Sequence, residues 1–87
     1  MNGAKKIYEG VGGNTPAEIE GAEEAIKSEF PELQSGVVRY QAEVLIDGSI
    51  KKLHADSLEE LKKQIEKTKQ ENSLLKILFC SVTVSSD

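Results

Sequence analysis

At 87 residues the chain has room for one domain, residues 1–87, which buries only about 60–65% of its unfolded surface and leaves no second core. Its net charge of −4 falls within residues 1–35, where Lys5, Lys6 and Lys27 stand against seven glutamates; residues 36–87 are balanced, so the acidic end disfavours phosphate and favours a basic partner. No apolar run approaches the roughly 20 residues of a membrane span, no apolar signal core follows Met1 to Lys6, and the one cysteine excludes an internal disulfide framework, so the expectation is a soluble cytoplasmic protein.

Residues 1–14 form a glycine-containing segment with two readings. Ile7 and Tyr8 favour a weak strand over Ala4 to Val11, while the flanking lysines and Gly10, Gly12 and Gly13 favour a flexible connection. Gly10 to Asn14 also precede a helix start, where backbone N–H groups bind anions. A phosphate loop is nevertheless disfavoured: the Gly-Lys-Ser/Thr ending is missing, and Glu18 and Glu20 would repel phosphate.

The first helix is announced by Thr15 as N-cap, Pro16 at the first helical position and Glu18 in capping-box spacing. Ile19, Ala22, Ile26 and Phe30 share one face, and Pro31 closes the segment. Gly21 inside it costs up to about 1 kcal/mol relative to alanine, which suggests close packing on a strand. Glu18, Glu20, Glu23, Glu24 and Glu29 crowd the exposed side. Such a face ordinarily serves solubility; a functional version docks a basic surface or imitates phosphates.

From Val37 onward the pattern becomes explicit. Val38, Tyr40, Ala42, Val44 and Ile46 alternate with Arg39, Gln41 and Glu43, the period of a strand buried on one side. Asp47-Gly48 fits a two-residue type I′ turn. That loop sets Ile46 opposite Ser49, Val44 opposite Lys51, Ala42 opposite Leu53 and Tyr40 opposite Ala55. On the reverse side Leu45 meets Ile50, Glu43 meets Lys52 and Gln41 meets His54, the middle pair worth roughly 0.2–1 kcal/mol.

A second helix starts at Asp56 or Ser57, with Ser57 and Glu60 in capping-box spacing. Leu58, Leu61 and Ile65 point inward, and Glu59 with Lys63 and Lys62 with Glu66 form surface pairs. Leu74 to Val84 is then a long strand, apolar on both sides in its first half.

The element order is (β)αββαβ, an α+β class with two helices on one face of a mostly antiparallel sheet. A real first strand makes the order ferredoxin-like, which puts the first strand inside and the last at an edge. The polarity of the two strands argues the other way. Either the N-terminal segment is not a central strand and the last strand lies beside the hairpin, or the last strand's outer edge pairs with a second copy, since a bare apolar edge of that kind invites aggregation.

Candidate chemistry is sparse. Cys80 lies in the apolar strand and reads as a buried structural thiol; a nucleophile there would need His54, the one histidine. His54 has no companion ligands at metal-site spacing. We expect no catalytic, metal or cofactor site.

Ile7-Tyr8-Glu9-Gly10, followed by a helix ending Ser28-Glu29-Phe30, resembles the opening of an RNA-recognition motif, whose element order is also βαββαβ. The resemblance covers about a third of the chain and implies bases stacked on aromatics of the first and third strands. Tyr8 would supply one. Ser49 to His54 supplies neither an aromatic nor the glycine-rich pattern of that family's third strand.

The expectation is a small acidic, non-enzymatic protein-interaction module that self-associates, as a homodimer, and inhibits or regulates a larger protein, as small phage-encoded proteins do. Its contact surfaces would be Arg39, Gln41, Glu43, Lys52 and His54 on the outward hairpin face, Glu20, Glu23 and Glu24 on the acidic helix, and the free edge of the last strand. The alternative is a domain that binds RNA or single-stranded nucleic acid on its sheet face.

Overall fold

A computed structural model describes residues 8–86. The hairpin forms in the register its turn dictates. Asp47 (φ 48°) and Gly48 (φ 80°) both occupy the left-handed region, which gives the type I′ turn. It joins strands Val37–Ile46 and Ser49–Ala55, with Ile46 opposite Ser49 through to Tyr40 opposite Ala55. Ser57 then caps a helix over Leu58–Glu71, its hydroxyl accepting the Glu60 N–H at 3.2 Å. Leu61, Ile65 and Thr68 are buried along that helix, the Thr68 hydroxyl donating to the Gln64 carbonyl at 2.7 Å.

The N-terminal strand is Tyr8–Gly13 and the final strand Lys76–Ser85. In chain order we call the strands β1 (Tyr8–Gly13), β2 (Val37–Ile46), β3 (Ser49–Ala55) and β4 (Lys76–Ser85). The helices are α1 (Ala22–Glu29) and α2 (Leu58–Glu71). Ala4 to Ile7, the front of the expected first strand, lie outside the described residues. The class is α+β, with the helices packed on one face of a four-stranded sheet in the order β1-β4-β2-β3. Every neighbouring pair is antiparallel.

This order differs from the ferredoxin-like one. β4 lies between β1 and β2, with the glycine-rich β1 at the edge. Burial explains the placement: Cys80, Val82 and Val84 are wholly buried on the helix side, and so belong to a strand flanked by others. The free edge expected for the last strand therefore does not exist, and with it goes the reason to expect a partner there. The mixed polarity of β4 has a local cause. Glu43 faces Phe79 while Val44 faces Ile77, so Leu78 is the extra residue of a β-bulge, and the bulge resets which side chains point inward.

The first helix also departs from its pattern. Instead of one run from Pro16 to Phe30, a short 3-10 turn (Pro16–Ile19) precedes α1, and Gly21 between them takes φ 79°. Gly21 does not pack closely on a strand: no atom lies within 4 Å of where its Cβ would be, so the glycine is there for its left-handed backbone. Thr15 makes no side-chain cap; the Glu18 carboxylate instead accepts the Asn14 N–H. The break divides the core. Ile19 and Ala22 join the main cluster with Tyr40, Val44, Leu61 and Val82, whereas Ile26 joins Leu33 and Val84 in a smaller one.

Candidate interaction face

The side of the sheet opposite the helices is open. Alternation along each strand, with the observed registers, sends Tyr8, Ser85 and Val37 to one row of this face and Gly10, Thr83 and Arg39 to the next. Gly12, Ser81, Gln41 and His54 make the third row, Phe79, Glu43 and Lys52 the fourth, and Lys76, Leu45 and Ile50 the last. Five residues expected here, Arg39, Gln41, Glu43, Lys52 and His54, are thus brought together.

Their surroundings are less polar than the hairpin alone implies. Tyr8 and Ile50 are each 61% exposed, Val37 53% and Phe79 45%, and all four lie on this face at opposite ends of its polar middle. Phe79 reaches across β1: a Cβ on Gly12 would come within 2.5 Å of the ring, so glycine at that position leaves the aromatic its bed. Tyr8, Val37, Arg39, Gln41, Thr83 and Ser85 enclose a shallow hollow of about 300 Å³ at the other end. Glu43 and Lys52 lie opposite one another in register but do not close an ion pair. The ion pairs among the described residues are Glu23–Lys27 at 3.3 Å and Glu20–Lys62 at 3.7 Å.

Glu20, Glu23 and Glu24 are elsewhere, on the helix side of the molecule. Glu23 is part of the scaffold, since one carboxylate oxygen accepts the Tyr40 hydroxyl at 2.9 Å and the other pairs with Lys27, which fastens α1 to β2. Burial first, then the Glu23 hydrogen bond and the Glu23 and Glu24 charges, push the Tyr40 hydroxyl up to about 12.

Cys80 and His54 cannot act as a pair. Cys80 shares its row with the inward Ala42, and His54 shares its row with the outward Gln41, so the two project from opposite sides of the sheet. Burial, with a smaller contribution from Glu18, raises the Cys80 thiol and so suppresses the thiolate. Among the described residues no group of three His, Cys, Asp or Glu side chains is placed to hold a metal ion. No helix there is long and apolar enough to cross a membrane.

Phe79 and Val37 were not legible as face residues. Val37 precedes the alternating run, and the side on which Phe79 emerges depends on the bulge at Leu78, which has no glycine or other local marker. Compared with known protein families, curated proteins and solved structures, the chain matches none of them.

Proposed function

We propose that this protein is a non-enzymatic binding module that pairs with a second copy of itself through the open face of its sheet. The observation that carries this reading is the gathering of Tyr8, Val37, Ile50 and Phe79, all strongly exposed, on the one sheet face that no helix covers. They lie in two pairs, Tyr8 with Val37 and Phe79 with Ile50, at either end of a polar middle, and apolar side chains that share one uncovered face in this way support an interaction surface where scattered single ones do not.

Size supports the occupant. Strands of 6, 10, 7 and 10 residues, spaced about 4.8 Å apart with a rise of about 3.3 Å per residue, give a face of roughly 520 Å² per copy, hence about 1,000 Å² in a face-to-face pair, the size of a weak association. A two-fold axis through the face also lets Glu43 of each copy approach Arg39 or Lys52 of the other, so that each carboxylate gains an opposite charge. The inhibitor or regulator role belongs to the same proposal, since such a module acts by occupying surface.

Sedimentation equilibrium tests it. The expected mass is near twice 9.5 kDa at tens of micromolar. Phe79→Ser removes a half-exposed ring from both copies, about 1 kcal/mol each, so the dimer should weaken by about 30-fold while the circular dichroism of the fold persists. A mass of 9.5 kDa up to millimolar concentration would overturn the reading.

A second reading rests on two exposed aromatics on adjacent strands of this face, Tyr8 in the row next to Arg39 and Phe79 farther along, since aromatic and basic side chains on one surface bind single-stranded bases. It is disfavoured by Glu43 on the same face and by the overall acidity. Saturable, salt-sensitive binding of labelled oligouridylate or oligothymidylate, lost in Tyr8→Ala, would put this reading first.

A further inference from the structure

The sheet ends in two edge strands, β1 and β3, and the two edges are not alike. The type I′ turn closes on Ile46 and Ser49 as a hydrogen-bonded pair, so alternation gives the backbone groups of Lys51 and Leu53 to β2 and turns those of Ile50, Lys52 and His54 outward. The Gln64 amide, donating to the His54 carbonyl at 2.7 Å from outside the sheet, agrees with that direction. Carried across β2 and β4, the same alternation leaves the backbone groups of Tyr8, Gly10 and Gly12 facing out from β1.

Charge and strand direction select what each edge can accept. β3 holds Lys51 and Lys52 and no acid, whereas β1 holds Glu9 and no cation. Glu9, opposite Val84, and Lys51, opposite Val44, share the helix side of the sheet, and neither enters an ion pair among the described residues. Lysines on an edge ordinarily repel an added strand. Here they oppose a second β3 but attract the β1 of another copy, and β1 laid on β1 would set Glu9 against Glu9. Direction agrees: every neighbouring pair is antiparallel, so in a sheet of four strands β1 and β3 run oppositely. A copy shifted sideways along the sheet thus brings its β3 antiparallel to β1, with the helices still on one side.

We propose that copies of this chain join edge to edge, β3 of one on β1 of the next, as an open row. The offset that engages all of β1 sets Tyr8 opposite His54 of the neighbouring copy, Gly10 opposite its Lys52 and Gly12 opposite its Ile50. Glu9 then lies diagonal to Lys51, a spacing that long side chains bridge. On the open face the exposed Ile50 arrives beside Gly12, where the Phe79 ring lies. A head-to-tail contact leaves one free edge at each end, so it continues past two copies. A six-residue strand makes a small interface, and growth therefore belongs to concentrations above those at which the open faces pair.

Sedimentation of the full chain at low ionic strength tests this. At millimolar concentration the mass should pass two copies and keep rising, where pairing of open faces alone levels off at two. Glu9→Lys and Lys51→Glu should each need about five-fold more protein for the same growth, since each sets like charges across the contact. Glu9→Lys also brings the net charge of −4 nearer zero, which by itself favours association, so its loss of growth reports the contact. Mixed in equal amounts, the two variants should recover wild-type growth: the altered edges complement each other, and the unaltered edges still match. Both substitutions lie on the helix side, so circular dichroism and the open-face pair should be unchanged. A mass that stays at or below two copies, variants that grow as readily as wild type, or a mixture that grows no further than its parts would each overturn the proposal. A plateau at two copies would do so while leaving the open-face pair standing.

Discussion

Leu61→Ala is expected to destabilise the protein by about 3 kcal/mol, within the 2–5 kcal/mol that such core truncations cost. Leu61 has no exposed surface and lies in the first turn of α2 on its inward side, in the cluster that joins this helix to Tyr40, Ala42 and Leu53 of the hairpin. Removing its branched end takes dispersion contacts from both layers at once and leaves a cavity that a sheet pinned by three antiparallel pairings collapses into poorly. A chain of this length holds only about 4–13 kcal/mol in total, so the variant loses a large part of its margin. Urea denaturation should show a lower midpoint at unchanged slope. Leu74→Ala is the control: Leu74 is 82% exposed, and its loss should stay within about 0.5 kcal/mol. A cost below about 1 kcal/mol for Leu61→Ala would show that α2 is not the cover of the core.

What made the hairpin and α2 legible is that their determinants are local. Strand alternation from Val38 to Ile46, a turn that requires two left-handed residues and a Ser57–Glu60 cap each act within a few positions, and nothing tertiary opposes them. The acidic helix shows the limit of that logic. Thr15, Pro16 and Glu18 carry a start signal and Ile19, Ala22 and Ile26 carry a helical face, yet Gly21 divides the run so that Ile19 and Ile26 can serve different clusters. Periodicity cannot distinguish a glycine tolerated in a helix from one that ends it.

The place of β4 required a global comparison. Its apolar character did signal an interior strand, but which strands flank it depends on β1, whose six residues include three glycines and little strand preference. The site followed the same division. The polar middle of the open face came from hairpin register alone, while the apolar ends came from elements whose orientation is tertiary: Tyr8 through pairing with Ser85, and Phe79 through the bulge. The face is therefore more apolar than the hairpin residues alone implied.

Raising the pH should cost the fold roughly 2–3 kcal/mol between pH 10 and pH 12 through Tyr40, and Tyr40→Phe should abolish that loss. The Tyr40 ring is buried against the core, and its hydroxyl reaches out to donate to Glu23, so the neutral phenol is the form the fold stabilises. Its proton is held to about 12 in the folded protein and to about 10 in the unfolded chain. Stability from this group is therefore complete below pH 10, and falls as the pH climbs because the unfolded chain releases its proton first; the loss is complete above pH 12. Lysine deprotonation in the same range affects wild type and variant alike, so the informative quantity is their difference. At pH 7 the variant should be less stable by about 1.5 kcal/mol, the low end for a hydrogen bond to a carboxylate, because Glu23 keeps Lys27 as a partner. Between pH 10 and pH 12 the two stability curves should converge and cross. Parallel curves across that interval would mean that the Tyr40–Glu23 bond does not hold α1 to the sheet in solution.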